Sequence, residues 1–295
     1  MARRQYKYRK PPRKRIRFSR ILLLLLLAGM VAWPFMEATL VTVENRTVQI
    51  PGLASNLRNL KVLFVSDIHQ GRFFSQARVN QLIQKINSLG ADIVILGGDY
   101  AEDAAGAVAF FQNAPRIQAR FGVFGVLGRA DRLRGEGEFS QLVAEMTNYG
   151  CLPLTNNVAR VKVGQAYLSV AGVDDFSLDY ANVQSVASQV SRSDFVIFVG
   201  HTPDLLPAAF AAKSAEGDTH WFDLALFGAT HGGQVRVFNK PLIPGLLPSV
   251  GSRYLSGWRE ENRASILVSN GIGTSTLPIR LFTPPQIHLI TLRSR

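Results

Sequence analysis

The chain has 295 residues, 47% of them hydrophobic and 18% charged, which suits one large domain or two small ones with a sizeable core. Its single cysteine, Cys151, excludes an intrachain disulfide and a cysteine-based zinc site, and reads as a free, buried thiol. The formal net charge of +12 is unevenly placed: residues 1–20 hold ten Lys/Arg and no Asp or Glu, which leaves 23 basic against 21 acidic residues elsewhere. The basicity therefore belongs to a tail and says little about the substrate.

In chain order, residues 1–20 read as a solvated, disordered tail. Residues 21–36 carry no charge, Glu37 interrupts, and 38–43 is again mostly apolar. The uncharged part is somewhat shorter than the ~20 residues that span a bilayer. A single-span anchor and a cleaved secretory signal compete as readings. No clean small-x-small cleavage site precedes Glu37, which favours an anchor over 21–43, with Trp33 and Phe35 at the far interface. The positive-inside rule then puts the tail in the cytoplasm and residues 45–295 on the extracytoplasmic side of the cell membrane. Beside an apolar span, the tail fits contact with anionic membrane lipids better than nucleic-acid binding.

Residues 42–53 predict a strand and turn entering the folded domain. The run Val62-Leu63-Phe64-Val65 has the composition of a strand buried on both faces. Residues 75–89 predict a helix, with Val79, Leu82, Ile83 and Ile86 at helical spacing and Gly90 as its stop. Strands are predicted at 92–96, 121–127, 194–199, 222–227, 264–269 and 287–292, and a hairpin at 158–163 and 166–173 around Gly164-Gln165. Helices are predicted at about 106–118, 138–148 and 179–190. No internal repeat or linker divides residues 45–295.

Five of these strands end in polar clusters: Asp67 and His69, Asp99, Arg129 and Asp131, His201, and His231. In open α/β sheets the carboxyl ends of strands are where ligands bind. One histidine there is usually a satisfied polar group. Asp67 and Asp99 with two or three histidines, all recurring after strands, form a metal-ligand pattern. Neighbouring glycines allow tight turns and close backbone approach.

The blocks Ser66-Asp67-Ile68-His69, Gly97-Gly98-Asp99-Tyr100, Gly128-Arg129-Ala130-Asp131, Gly200-His201 and Gly228-Ala229-Thr230-His231-Gly232-Gly233-Gln234 resemble those of the calcineurin-like metallophosphoesterase family. The likeness runs over roughly residues 45–293. The Gly-Gly-Asp-Tyr and Gly-Gly-Gln pieces, with Ser269-Asn270-Gly271-Ile272-Gly273, are similar to a bacterial membrane-associated subgroup that includes UDP-diacylglucosamine pyrophosphatases. The resemblance implies a four-layer α/β/β/α sandwich with a two-metal site between the sheets. It implies that Asp67, His69, Asp99 and His231 hold the first metal, with manganese, iron or zinc suited to such ligands. Of the second site only Asp99 and His201 match. Arg129 stands where the family has Asn, Ala130 where it has a His that assists at the substrate phosphate, and Ala229 where it has a metal-binding His.

These departures predict one divalent metal per chain. They also predict that Arg129 replaces the second cation through a forked pair with Asp99, because a buried carboxylate must be paired. His201 is expected to act as a general acid or base or as a phosphate contact. Arg253, Arg259 and Arg280 are further candidates for an anionic substrate, against the default of solvated surface arginine. His220, His288, Asp174 and Asp175 are expected to be structural. The favoured function is a membrane-anchored phosphoesterase acting on a phosphodiester or pyrophosphate of a small molecule or lipid. The alternative is a degenerate member that binds metal, phosphate or a lipid headgroup without turnover. No nucleic-acid partner is expected.

Overall fold

A computed structural model describes residues 18–132, 136–191 and 193–295. The expected basic tail lies outside the described residues except for its last three positions. These already belong to the first helix, α1 (Phe18–Glu37). That helix is long and apolar enough to cross a membrane, and the window that meets this test is wholly unburied.

The strands are β1 (Thr42–Ile50), β2 (Lys61–Val65), β3 (Ile93–Leu96), β4 (Val123–Gly125), β5 (Cys151–Pro153), β6 (Asn157–Val163) and β7 (Ala166–Gly172). They continue with β8 (Phe195–Val199), β9 (Leu224–Phe227), β10 (Arg236–Val237), β11 (Lys240–Pro241), β12 (Gly257–Glu261), β13 (Ala264–Val268) and β14 (Gln286–Ser294). Among them run α2 (Gln76–Ser88), α3 (Ala104–Asn113), α4 (Glu136–Tyr149), α5 (Val183–Ala187) and α6 (Leu206–Ala211). One six-stranded sheet has the order β1-β14-β2-β3-β4-β5, and the other β12-β13-β9-β8-β7-β6.

Alternation of side chains sorts the layers. In β2, Val62 and Phe64 face inward onto Ile197 and Leu226 of the second sheet, in one cluster between the sheets. Leu63 and Val65 face the other way, onto Val79, Leu82, Ile83 and Ile86 of α2 and Phe110 of α3. Val196 and Phe198 of β8 turn outward to Val186 of α5 and Leu206 of α6. The result is the expected helix–sheet–sheet–helix stack. Strands buried on both faces read as continuous apolar runs, which is why 62–65, 93–96 and 195–199 were legible.

Local chemistry sets the helix ends. The Ser75 side chain caps α2 by accepting the Arg78 amide at 3.4 Å, and Gly90 follows the helix at φ +59°. The Asp103 carboxylate caps α3 by accepting from the Gly106 amide at 2.7 Å. This helix stops at Asn113, short of the predicted 118, because Ala114 precedes Pro115 and is pushed out of the helical region. The predicted helix at 179–190 shrinks to α5. Asp179 takes φ +62°, which a helix cannot include, and Asn182 supplies the cap instead. The strand β5 and the short β10–β11 hairpin escaped prediction, being three and two residues long per strand.

Candidate metal centre

Both sheets deliver their polar residues to one end of the sandwich. Asp67 and His69 follow β2, Asp99 follows β3, Arg129 and Asp131 follow β4, His201 follows β8, and His231 follows β9. The chain leaves each strand sharply. Asp67, His69, Asp99, Ala229 and His231 adopt φ of 53°, 47°, 53°, 66° and 48°. Non-glycine residues in this left-handed region are strained, and such strain concentrates at functional sites. Two glycines make the close packing possible. A Cβ on Gly228 would lie 2.4 Å from Asp67 Oδ2, and one on Gly271 would lie 2.7 Å from Asp67 Cβ.

The side chains converge. His69 Nε2 and His231 Nε2 face each other at 3.1 Å, and their rings stack at 28°. Asp67 Oδ1 lies 3.7 Å from His231 Nε2 and 3.9 Å from His201 Nε2. Asp99 Oδ2 lies 3.4 Å from both His69 Nε2 and His201 Nε2. Asp67, His69 and His231 thus form one group of metal-competent atoms within 4.8 Å of one another, and Asp67, Asp99 and His201 form a second. Two buried imidazole nitrogens aimed at one point beside two carboxylates fit a divalent cation.

The surroundings orient these groups. His201 Nδ1 sits 2.7 Å from the Gly97 carbonyl, which fixes Nδ1 as the donor and leaves Nε2 facing the carboxylates. Burial works against a charge on His201, but Asp99 and Asp67 outweigh it and hold its pKa well above the usual imidazole range. His231 shifts the other way: burial, His69 and Arg280 push it well below. Burial raises the carboxyl of Asp67. For Asp99 burial is overcome by His201 and His69, which hold it below the usual carboxylate range. Asp131 serves as a clamp. Its carboxylate accepts the amides of Asp99 at 2.6 Å, Tyr100 at 2.9 Å and Gly128 at 3.0 Å, while burial and the neighbouring Asp99 push its pKa up.

Arg129 does not make the expected pair with Asp99. Its side chain is exposed, and Asp99 Oδ1 instead accepts the backbone amide of Ala130 at 2.9 Å. A guanidinium at the start of that loop can reach solvent, whereas the turn itself already satisfies the carboxylate. Ala229 behaves alike: its amide donates to Asp67 Oδ1 at 3.0 Å. Arg280 also departs from expectation. It is wholly buried, and its guanidinium donates to the carbonyls of Gly273 at 2.6 Å, Asn270 at 2.8 Å and Thr283 at 2.8 Å. It also approaches His231 Nδ1 at 3.4 Å, and burial lowers its pKa to about 10. Arg253 is tied to Glu261. Sequence reasoning missed the role of Arg280, since one buried arginine in a proline-flanked loop has no local signature. Cys151 is buried, as expected.

Residues 60–235 match the profile of the calcineurin-like phosphoesterase family. The match spans more than half of the chain and contains all five strand-end blocks, so the chain belongs to this family. It is a metallophosphoesterase, a hydrolase of a class that uses divalent metals. It is 29% identical to the Bacillus subtilis protein YpbG, over 79% of this chain and 81% of that one. It is 24% identical to the metallophosphoesterase YkuE of the same organism, over 88% of each. It is 27% identical to the Escherichia coli phosphodiesterase YaeI, over 80% of this chain and 83% of that one.

Proposed function

We propose that this protein is a membrane-anchored phosphoesterase that hydrolyses a phosphodiester or pyrophosphate bond, with one tightly held divalent metal per chain. The observation that carries this reading is the convergence of Asp67, His69 and His231 within 4.8 Å, with Asp99 Oδ2 3.4 Å from His69. A cation bound there supplies Lewis acidity toward a phosphoryl oxygen and toward water. At the second position, Asp99 and His201 remain, but Arg129 and Ala229 offer no ligand atom. His201, buried and facing both carboxylates, is placed to hold or deliver a proton at Nε2. Arg129 sits at the rim, where an exposed guanidinium meets an incoming phosphate rather than substituting for a metal.

The anchor is α1, whose side chains from Phe18 to Met36 are mostly exposed and apolar. Nine basic residues before it, with Arg20 in its first turn, support a cytoplasmic tail and an extracytoplasmic domain of residues 45–295. The subgroup likeness around Gly97-Gly98-Asp99-Tyr100 and an anchored site together favour a lipid-linked substrate. The test is hydrolysis of bis(p-nitrophenyl) phosphate by the full chain after loading with manganese, iron or zinc. Metal-dependent turnover supports the reading, and metal-independent turnover or none with any of the three contradicts it. Protease added to intact spheroplasts should digest the domain, and complete protection would reverse the topology.

A further inference from the structure

Two loops beside the metal centre carry large apolar side chains out into the surroundings. Phe238 is 94% exposed, Phe282 69%, Leu242 59% and Leu277 47%. Scattered exposed hydrophobics are normal, but these four belong to one connected strip. The Arg236 amide donates to the Leu281 carbonyl at 3.0 Å, and the Leu281 amide to the Gln234 carbonyl at 3.0 Å. The buried Gln234 side chain donates to the Leu277 carbonyl at 2.9 Å, and the Leu242 amide bonds the Val235 carbonyl at 2.9 Å.

Both aromatics also stand on unfavourable backbone. Phe238 and Asn239 link β10 to β11 at φ 49° and 61°, positions of a two-residue hairpin usually given to Asn and Gly. Phe282 adopts φ 57°. A bulky residue in this region is an outlier, and here neither ring is packed inside the fold to offset the strain.

The strip is bonded to the end of α1. The Arg280 amide donates to the Pro34 carbonyl at 2.9 Å, and the Thr283 amide to the Glu37 carboxylate at 2.7 Å, so Phe282 lies between two residues tied to the last turn of the helix. Trp33 completes the joint, its indole N–H donating to Glu37 at 3.0 Å. Charge agrees: residues 224–259 and 262–295 contain no Asp or Glu, while Arg236 and Lys240 flank Phe238. Apolar side chains ringed by cations suit the interface of an anionic bilayer.

We propose that the loops at 235–242 and 277–282 form a membrane-seating surface continuous with the end of α1. They insert Phe238, Leu242, Leu277 and Phe282 at the headgroup–acyl boundary and hold the metal centre at the lipid surface. Arg280 joins this surface to the site, because its backbone bonds α1 while its guanidinium approaches His231. An amphiphile with a phosphodiester or pyrophosphate headgroup then reaches the centre without leaving the bilayer. The inference rests on the reading of α1 as a membrane anchor.

The test is nitroxide labelling of single cysteine variants of the full chain in vesicles of phosphatidylcholine and phosphatidylglycerol. Cys151 is buried and its thiol pKa is pushed up by that burial, so it takes no label. The positions are Phe238→Cys, Leu277→Cys and Phe282→Cys in the strip, Leu27→Cys within α1, and Leu152→Cys on β5 at the opposite edge of the first sheet. The strip and α1 labels should become several-fold more accessible to oxygen than to a polar nickel chelate, while the Leu152→Cys label stays aqueous. Aqueous strip labels beside a lipid-buried α1 label overturn the seating surface and leave the anchor standing. An aqueous α1 label removes the anchor and the inference together. Strip labels shielded from both reagents identify a protein partner instead, and contradict the proposal.

Discussion

The two halves of the metal centre have been treated differently. Around the first position, Asp67, His69 and His231 keep their side chains on one point, with two imidazole nitrogens 3.1 Å apart. Around the second, Asp67, Asp99 and His201 converge, while Arg129 and Ala229, which the family resemblance aligns with a metal-binding Asn and His, bring no ligand side chain in the reading proposed above. The amides of Ala130 and Ala229 still bond Asp99 at 2.9 Å and Asp67 at 3.0 Å. The same turns thus do two separable jobs: their backbone orients carboxylates and their side chains bind metal. In the proposed one-metal site, only the second job is given up, and only on one side.

The largest way to break this contrast is through the complete half. Asp67→Asn or His231→Ala should strip the metal and lower turnover by about three powers of ten or more, at ~1.4 kcal/mol per tenfold. Metal content by mass spectrometry together with kcat checks it, and retained metal in both variants contradicts the assignment. Next comes the support of that half. Arg280→Met leaves the carbonyls of Gly273, Asn270 and Thr283 without their buried donor. It should cost about 3 kcal/mol of stability in urea unfolding and weaken metal binding roughly 10–100-fold.

His288 shows what a histidine does when the fold rather than the site decides its protonation. It is 3% exposed in β14, bonded to Ser269 Oγ at 3.1 Å, and burial lowers its pKa to about 4. A depressed folded value means stability that is present above the ordinary imidazole pKa and lost as pH falls toward 4. At pH 5 the loss should be about 2 kcal/mol, at ~1.4 kcal/mol per pKa unit. His288→Leu should flatten this slope between pH 7 and 5 in denaturant titrations, whatever its effect on absolute stability. The smallest effects sharpen the weakened half. Restoring it with Arg129→Asn, Ala130→His and Ala229→His should add a second metal and raise phosphodiesterase turnover about tenfold, ~1.4 kcal/mol. Arg129→Ala alone should change turnover by less than about threefold, since an exposed charge contributes little.

Much of this was readable in the amino-acid order, for identifiable reasons. Strands such as 62–65 and 195–199 are buried on both faces, so their apolar runs are uninterrupted, and the polar residues that end them stand out. His69 and His231 are 162 positions apart, but each follows a strand, and strand ends of one sandwich meet. Illegible features depend on partners distant in the chain or on backbone atoms. Sequence offered Arg129 as the partner of Asp99 because charge is visible in a sequence, whereas the Ala130 amide that takes that place is not. Arg280 looked like one more surface arginine because its acceptors are carbonyls, which every residue has. Helix ends at 113 and 183 were set by Pro115 and by the left-handed Asp179, local signals that apolar periodicity overran.

Metal stoichiometry reads the proposed asymmetry of the site directly. Titrating the purified full chain with manganese or zinc, with bound metal counted by mass spectrometry and affinity by calorimetry, should give about one tight equivalent per chain, in keeping with one complete ligand set. That equivalent should vanish in Asp67→Asn. Two equivalents of similar affinity in the unsubstituted chain would show that Asp67, Asp99 and His201 complete a second site without the missing ligands, and would contradict the account.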